Sequence, residues 1–239
     1  MCTRLNFING IIPSFIPNRI VVGAFSLMAV FSGHIKKATR LSHFNENTQL
    51  LEKADNAFFK AREYIENQNL WDKVKFGSHK KSNMAYSGCE IIATYNALIS
   101  MGDIGTRITD LIRQFEKKGN ALKGGFGIAP AYPAKYLKEK GYLVKRLTTR
   151  KKEKINAFGS AHETFLVTFY WDKADITKQL HTVNISKNNE KYFVHNVYHR
   201  DNNGSFSSLG PNESLSAAIS ALGERVTPMV IYGIDKREA

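Results

Sequence analysis

Apolar positions along the chain recur at two different periods, and the change from one to the other divides it. After Asn47, residues Leu50, Leu51, Ala54, Ala57, Phe58, Ala61 and Ile65 lie three or four apart, which is the spacing of one face of a helix of about five turns. Ile91, Ile92, Tyr95, Leu98 and Ile99 repeat the pattern after Cys89 and stop at Gly102, a residue suited to the left-handed backbone that ends helices. A third stripe, Ile108, Leu111, Ile112 and Phe115, begins at Thr106 and closes with Lys117, Lys118 and Gly119, the two lysines suiting the negative end of a helix. A fourth helix is predicted over 133–140, closed by Gly141. Beyond it the period shortens. Residues 142–144, 165–170, 180–186, 192–198 and 228–234 are β-branched or aromatic runs set apart by turn residues, and each predicts a strand. One more helix, over 212–222, interrupts them. Helices followed by closely spaced strands predict an α+β domain with an antiparallel sheet.

Composition narrows the class. The chain has 239 residues, 43% of them hydrophobic, enough for one sizeable core and close to the globular average. Disordered, collagenous and polytopic membrane proteins are excluded on that ground. The two cysteines, Cys2 and Cys89, stand too far apart for a disulfide framework or a paired-cysteine zinc site. With 34 Lys and Arg against 21 Asp and Glu, a net charge of +13 draws acidic partners at low salt. Residues 1–40 differ from the rest: from Met1 to Gly33 they carry no acid and only two basic residues, Arg4 and Arg19, with an apolar run from Ile20 to Ser32. Thirteen helical residues reach about 20 Å, short of a hydrocarbon core of ~30 Å, and Pro13 and Pro17 prevent a straight extension. The segment is expected to be an export signal or membrane anchor, with Val30 and Ser32 as small residues for cleavage. Its alternative is a helix docked on a cytoplasmic domain. The domain proper is expected over 41–239.

Candidate chemistry centres on Cys89. It follows Gly88 and leads an apolar helix, so its sulfur is expected at a helix N-terminus, where free N–H groups and the dipole favour the thiolate. Residues 187–190, Lys-Asn-Asn-Glu, read as a hairpin with a two-residue turn at Asn188 and Asn189. That register pairs Ile185 with Tyr192, Val183 with Val194 and His181 with Asn196. His181 and Asn196 are then side by side on the buried face, with Cβ atoms ~4.5–5.5 Å apart, facing the cysteine helix. This is the arrangement of Cys–His–Asn catalysis, in which imidazole takes the thiol proton and an amide oxygen fixes the ring's tautomer. The same pairing also fits a core histidine satisfied by its strand neighbour. Acyl chemistry further needs oxyanion donors. The Cys89 backbone N–H is one, and the side chain of Asn83, six residues upstream, is the candidate for the other, with a turn or capping role as its alternative.

The segments NMAYSGCEIIATYNAL (83–98), LHTVNI (180–185) and YFVHNVY (192–198) together resemble the papain-like cysteine peptidases. The likeness is strongest to the bacterial branch that includes the bacteriocin leader peptidases and their stand-alone relatives, the peptidase C-thirty-nine-like group. The resemblance implies a papain-like α+β fold, its nucleophile helix packed on a C-terminal antiparallel sheet, and hydrolysis of a peptide or protein substrate. It also implies Cys89 as nucleophile, His181 as general base and acid, Asn196 as orienter and Asn83 as oxyanion donor. No cofactor is implied. Three residues depart from the family pattern: Glu90 stands where glycine often follows the cysteine, Asn83 where glutamine is usual, and Asn196 where aspartate is common in this branch. Amide transfer or deamidation through the same acyl-enzyme, and an idle binding module on the same fold, are the alternatives.

The remaining constellations carry less. Gly124, Gly125 and Gly127 follow a helix and lack a phosphate-loop ending, so a mobile loop beside the cleft is expected. His195, His199 and Asp201 have metal-like content, but that spacing on a strand does not converge, and no metal is expected. Lys145, Arg146, Arg150, Lys151, Lys152 and Lys154 read as a solvated basic face able to hold an anionic surface. No nucleic-acid module accompanies them, so nucleic acid is not an expected partner. His34, His43, His79 and His162 have no partner that the sequence identifies.

Overall fold

A computed structural model of the chain describes residues 43–52, 59–77, 83–118, 127–170, 180–224 and 226–237. In order these form α1 (Phe44–Leu51), a 3-10 turn (Gln68–Trp71), α2 (Met84–Ser87), α3 (Cys89–Ser100), α4 (Ile108–Lys118), α5 (Tyr132–Glu139), β1 (Leu143–Leu147), α6 (Lys152–Ser160), β2 (Thr164–Tyr170), β3 (Leu180–Asn188), β4 (Lys191–His195), β5 (Leu209–Asn212), α7 (Leu215–Ala221) and β6 (Thr227–Asp235). The fold is α+β, as the change of period predicts. Its six strands form one antiparallel sheet in the order β1-β6-β2-β3-β4-β5.

Helix α3 is apolar on nearly every side, and ten of its twelve residues are buried, so it runs through the interior rather than over the surface. Its small residues Ala93 and Ala97, with Leu98, lie against Leu166, Val230, Tyr232 and Ile234 of the sheet. Its other side, Ile91, Ile92 and Tyr95, joins Trp71, Phe76, Leu111 and Phe115. The opposite face of the sheet packs Phe165, Val167, Val183 and Ile185 beneath Ile155 of α6 and Leu215, Ala218 and Ile219 of α7. Helices therefore cover both faces.

Three expectations need correction. The long first helix ends early: α1 closes at Leu51, residues 53–58 lie outside the described residues, and Ala61 and Ile65 are not helical. There the backbone is bound by side chains of α3 instead. Arg62 N–H donates to Tyr95 Oη (3.0 Å), and the Asn96 carboxamide pairs with both N–H and C=O of Ile65 (2.9 Å each). The hairpin turn falls one residue later than expected, at Asn189 and Glu190, both with positive φ (48° and 60°), as a type I′ turn requires. The register accordingly pairs Asn184 with His195 and Ile185 with Val194, and β4 ends before Asn196. Finally, α6 is a helix and β5 an edge strand that the sequence did not indicate.

The expected targeting segment, 1–40, and most of the glycine loop, 119–126, lie outside the described residues. Among those described, no helix is long and apolar enough to cross a membrane.

The loop after α3 is fastened by Asp103. Burial alone would raise its carboxyl, but hydrogen bonds from Thr106 and Lys140 and the Lys140 charge outweigh burial and hold it below its ordinary value. A depressed carboxyl stabilises the fold above its unfolded value, 3.8, and loses that contribution as pH falls through the folded one. Asp103→Asn should therefore lower stability by about 1 kcal/mol near neutral pH, with the difference from wild type in urea unfolding shrinking as pH falls below 3.8.

Candidate functional site

Asn83 caps α2: its Oδ1 accepts from Tyr86 N–H at 2.8 Å, the role that short polar side chains play at helix starts. Gly88 then joins α2 to α3, its N–H donating to the Met84 carbonyl at 2.9 Å and its own carbonyl accepting from Ile92. Cys89 is thus the first residue of α3, as expected, and is 5% exposed. Its thiol donates to Glu90 Oε2 at 3.0 Å. A carboxylate at that distance opposes ionisation of the sulfur, against the helix dipole. The other Glu90 oxygen accepts from Thr182 Oγ1 at 3.5 Å, and Thr182 is bonded to Thr168 at 2.9 Å. The start of α3 is in this way tied to the start of β3.

His181 is next to Thr182 and 1% exposed. Its Nε2 lies 3.0 Å from the backbone carbonyl of Asn196. A carbonyl only accepts, so Nε2 carries the proton, and Nδ1 is the basic nitrogen of the neutral ring. Phe169 meets the ring edge-on (5.8 Å, 86°) and Tyr198 stacks near it (6.0 Å, 26°), which fixes its plane.

His181 and Asn196 do meet, but by a different atom than the register suggested. Asn196 lies just past β4 with φ +65°, in the left-handed region that asparagine tolerates. Its carboxamide turns away from the histidine and pairs with Gln68. Asn196 Oδ1 accepts from Gln68 N–H (2.8 Å), and Asn196 Nδ2 donates to Gln68 Oε1 (3.1 Å). Gln68 Nε2 in turn donates to the Ala85 carbonyl of α2 (2.9 Å), and Glu66 Oε2 accepts from Asn196 N–H (3.0 Å). The chain from His181 through Asn196 and Gln68 to Ala85 leads back to the turn that precedes Cys89. Glu66 holds the Asn196 backbone and Gln68 its carboxamide, and together they fix the carbonyl that orients His181. Neither lies in a periodic pattern, and no local signal marks them.

The expected facing of helix and histidine also differs. By strand alternation His181 shares a face with Val183 and Ile185, which α6 and α7 cover. Helix α3 meets the other face of β3, through Thr182 and, at its far end, Ser100 Oγ with Asn184 Oδ1 (3.2 Å). That face is polar yet buried, with Thr164, Thr168, Thr182 and Asn184 all at most 1% exposed. Their mutual hydrogen bonds make burial possible, and the apolar pattern therefore pointed to the opposite face.

His195 belongs to a second buried relay, joined to the first through Glu66. Ser186 Oγ lies 2.8 Å from its Nε2, Glu66 Oε1 lies 2.6 Å from its Nδ1, and Tyr64 stacks on the ring at 3.8 Å. His43 and His162 find carboxylate partners in Glu116 and Asp235. Among the described residues no group of His, Cys, Asp or Glu side chains could hold a metal ion. Cavities of about 330, 520 and 790 Å³ open elsewhere on the surface, and neither Cys89 nor His181 lines any of the three. Comparison of the chain with protein-family models, with curated proteins and with solved structures found no match.

Proposed function

We propose that the chain is a papain-like cysteine peptidase acting through an acyl-thioester on Cys89. The observation that carries this reading is the tautomer of His181. With Nε2–H directed at the Asn196 carbonyl, Nδ1 is the proton acceptor, at the end of β3 to which the Cys89–Glu90 pair is tied. Although α3 and the His181 side chain lie on opposite faces of β3, in this reading ring and sulfur meet round the end of that strand. There Nδ1 takes the thiol proton as sulfur attacks the scissile carbonyl, then returns it to the leaving amine. A water molecule, giving a proton to the same nitrogen, releases the acid and restores the thiol. The Cys89 N–H and the Asn83 side-chain nitrogen are the proposed oxyanion donors. Capping engages the oxygen of Asn83 and not its nitrogen, which is compatible with both roles. Amide transfer by the same acyl-enzyme differs only in the acceptor.

The hold of Glu90 on the thiol favours a second reading, a binding module with an idle site. The test is incubation of the full chain, carrying Cys2→Ser, with a peptidyl acyloxymethyl ketone and separately with a mixed peptide library. Stoichiometric adduct on Cys89 and new amine termini in the library are expected. An unlabelled Cys89 overturns the reading, and transferred rather than hydrolysed acyl groups convert it to a transferase.

Asn83→Asp separates capping from catalysis. Aspartate retains the cap acceptor but brings no N–H donor, so stability should stay within about 0.5 kcal/mol of wild type while turnover falls about 10²–10³-fold. Equal turnover in urea-matched samples would leave Asn83 a cap only.

A further inference from the structure

Strand β1 is an edge of the sheet, paired only with β6 among the described residues. Between β1 and α5 runs a groove of about 520 Å³. Its floor is apolar, made by Ala134, Val144 and Tyr232, and its rim carries Lys135, Lys138 and Arg146. Glu139 is also on the rim and is paired with Lys135 at 3.9 Å. The sequence that builds the groove and runs on from β1 into α6 is basic as well. Residues 131–154 hold nine Lys and Arg against two Glu, seven of the chain's thirteen net charges, and all nine cations are exposed. Leu143, at the start of β1, is 45% exposed.

We propose that this groove and strand edge dock an acidic peptide segment in extended conformation. An edge strand offers backbone N–H and C=O groups that an added strand can pair with. A shallow apolar floor receives every second side chain of such a strand, and the cationic rim receives the carboxylates between them. Single-stranded nucleic acid is bound by stacking on exposed rings, whereas the aromatic residue of this lining, Tyr232, is 5% exposed. An anionic bilayer would be met by charge alone and makes no use of a concave apolar floor. The proposal does not depend on the chemistry of Cys89.

The experiment is fluorescence anisotropy on the full chain at about 50 mM salt. The probes are a labelled peptide of alternating Glu and Val, its Gln/Val counterpart, a version with every second amide N-methylated, a single-stranded oligonucleotide, and vesicles containing phosphatidylserine. The acidic peptide is expected to bind with Kd on the order of 10 μM, and the neutral and N-methylated forms about ten-fold more weakly or worse. The pair Lys135→Glu and Arg146→Glu should weaken the acidic peptide at least about ten-fold, with thermal midpoint retained. Lys73→Glu, elsewhere on the surface, should leave binding unchanged. Wild-type affinity in the double variant, indifference to N-methylation, or tighter binding of the oligonucleotide or the vesicles would each overturn the proposal.

Discussion

His181→Gln lowers the rate at which iodoacetamide alkylates Cys89 at neutral pH by about 10²-fold or more, the range over which a positioned base acts. Glutamine fills much of the same space, and its amide N–H reproduces the donation to the Asn196 carbonyl that Nε2 makes at 3.0 Å. What it lacks is a nitrogen that accepts a proton. The sulfur then has only the weakly basic Glu90 carboxylate, whose charge works against its ionisation. The measurement uses the Cys2→Ser chain, so that every adduct found by mass spectrometry is on Cys89. A thermal midpoint near that of wild type shows that the loss is chemical. Alkylation at the wild-type rate would assign His181 to the core, as a ring satisfied by its neighbour.

Gly88→Ala is expected to lower stability by about 1–3 kcal/mol and to remove the reactivity of Cys89 with it. The backbone at Gly88 has φ −96°, which alanine adopts without strain, so the effect is one of contact alone. A Cβ there would lie 2.5 Å from the Met84 carbonyl oxygen and 2.7 and 2.8 Å from Met84 Cε and Sδ. Met84 is fully buried, and its carbonyl holds the Gly88 N–H. Relief therefore has to move the α2–α3 junction, and the first residue displaced is Cys89. Met84→Ala in the same chain clears the side-chain clash but not the backbone one, so it should restore only part of the reactivity. Urea midpoints and alkylation rates of the single and double variants check this. Full restoration would trace the effect to the methionine side chain alone.

Much of the frame is legible from local spacing, because α3, α4, α5 and the inner strands each bury an unbroken apolar set. The placement of Cys89 at a helix start follows from Gly88 and the run after it. What could not be read depends on partners distant in the chain. Ala61 and Ile65 continue the first helical stripe, but Tyr95 and Asn96 claim the backbone there. The hairpin register differs from the expected one by two positions, and a shift of two keeps every side chain on its face. Only the left-handed backbone at Asn189 and Glu190 distinguishes the two registers. In α6 the lysine run masks the few apolar anchors, Ile155 and Phe158 among them. In β5, Gly210 and Pro211 read as a turn, although an edge strand accepts proline. Glu66 and Gln68 act through Asn196, about 130 residues away, a distance over which periodicity says nothing.

Strand β6, last of the six, sits between β1 and β2. During synthesis on the ribosome, β1 consequently waits without a neighbour and β2 presents one raw edge until residues 227–235 emerge. Contacts so remote along the chain form slowly, and unpaired edges are sticky while they last. The nascent polypeptide thus carries its thiol helix well before the sheet that buries it is whole, and a ribosome stalled ahead of β6 would release a species prone to clump.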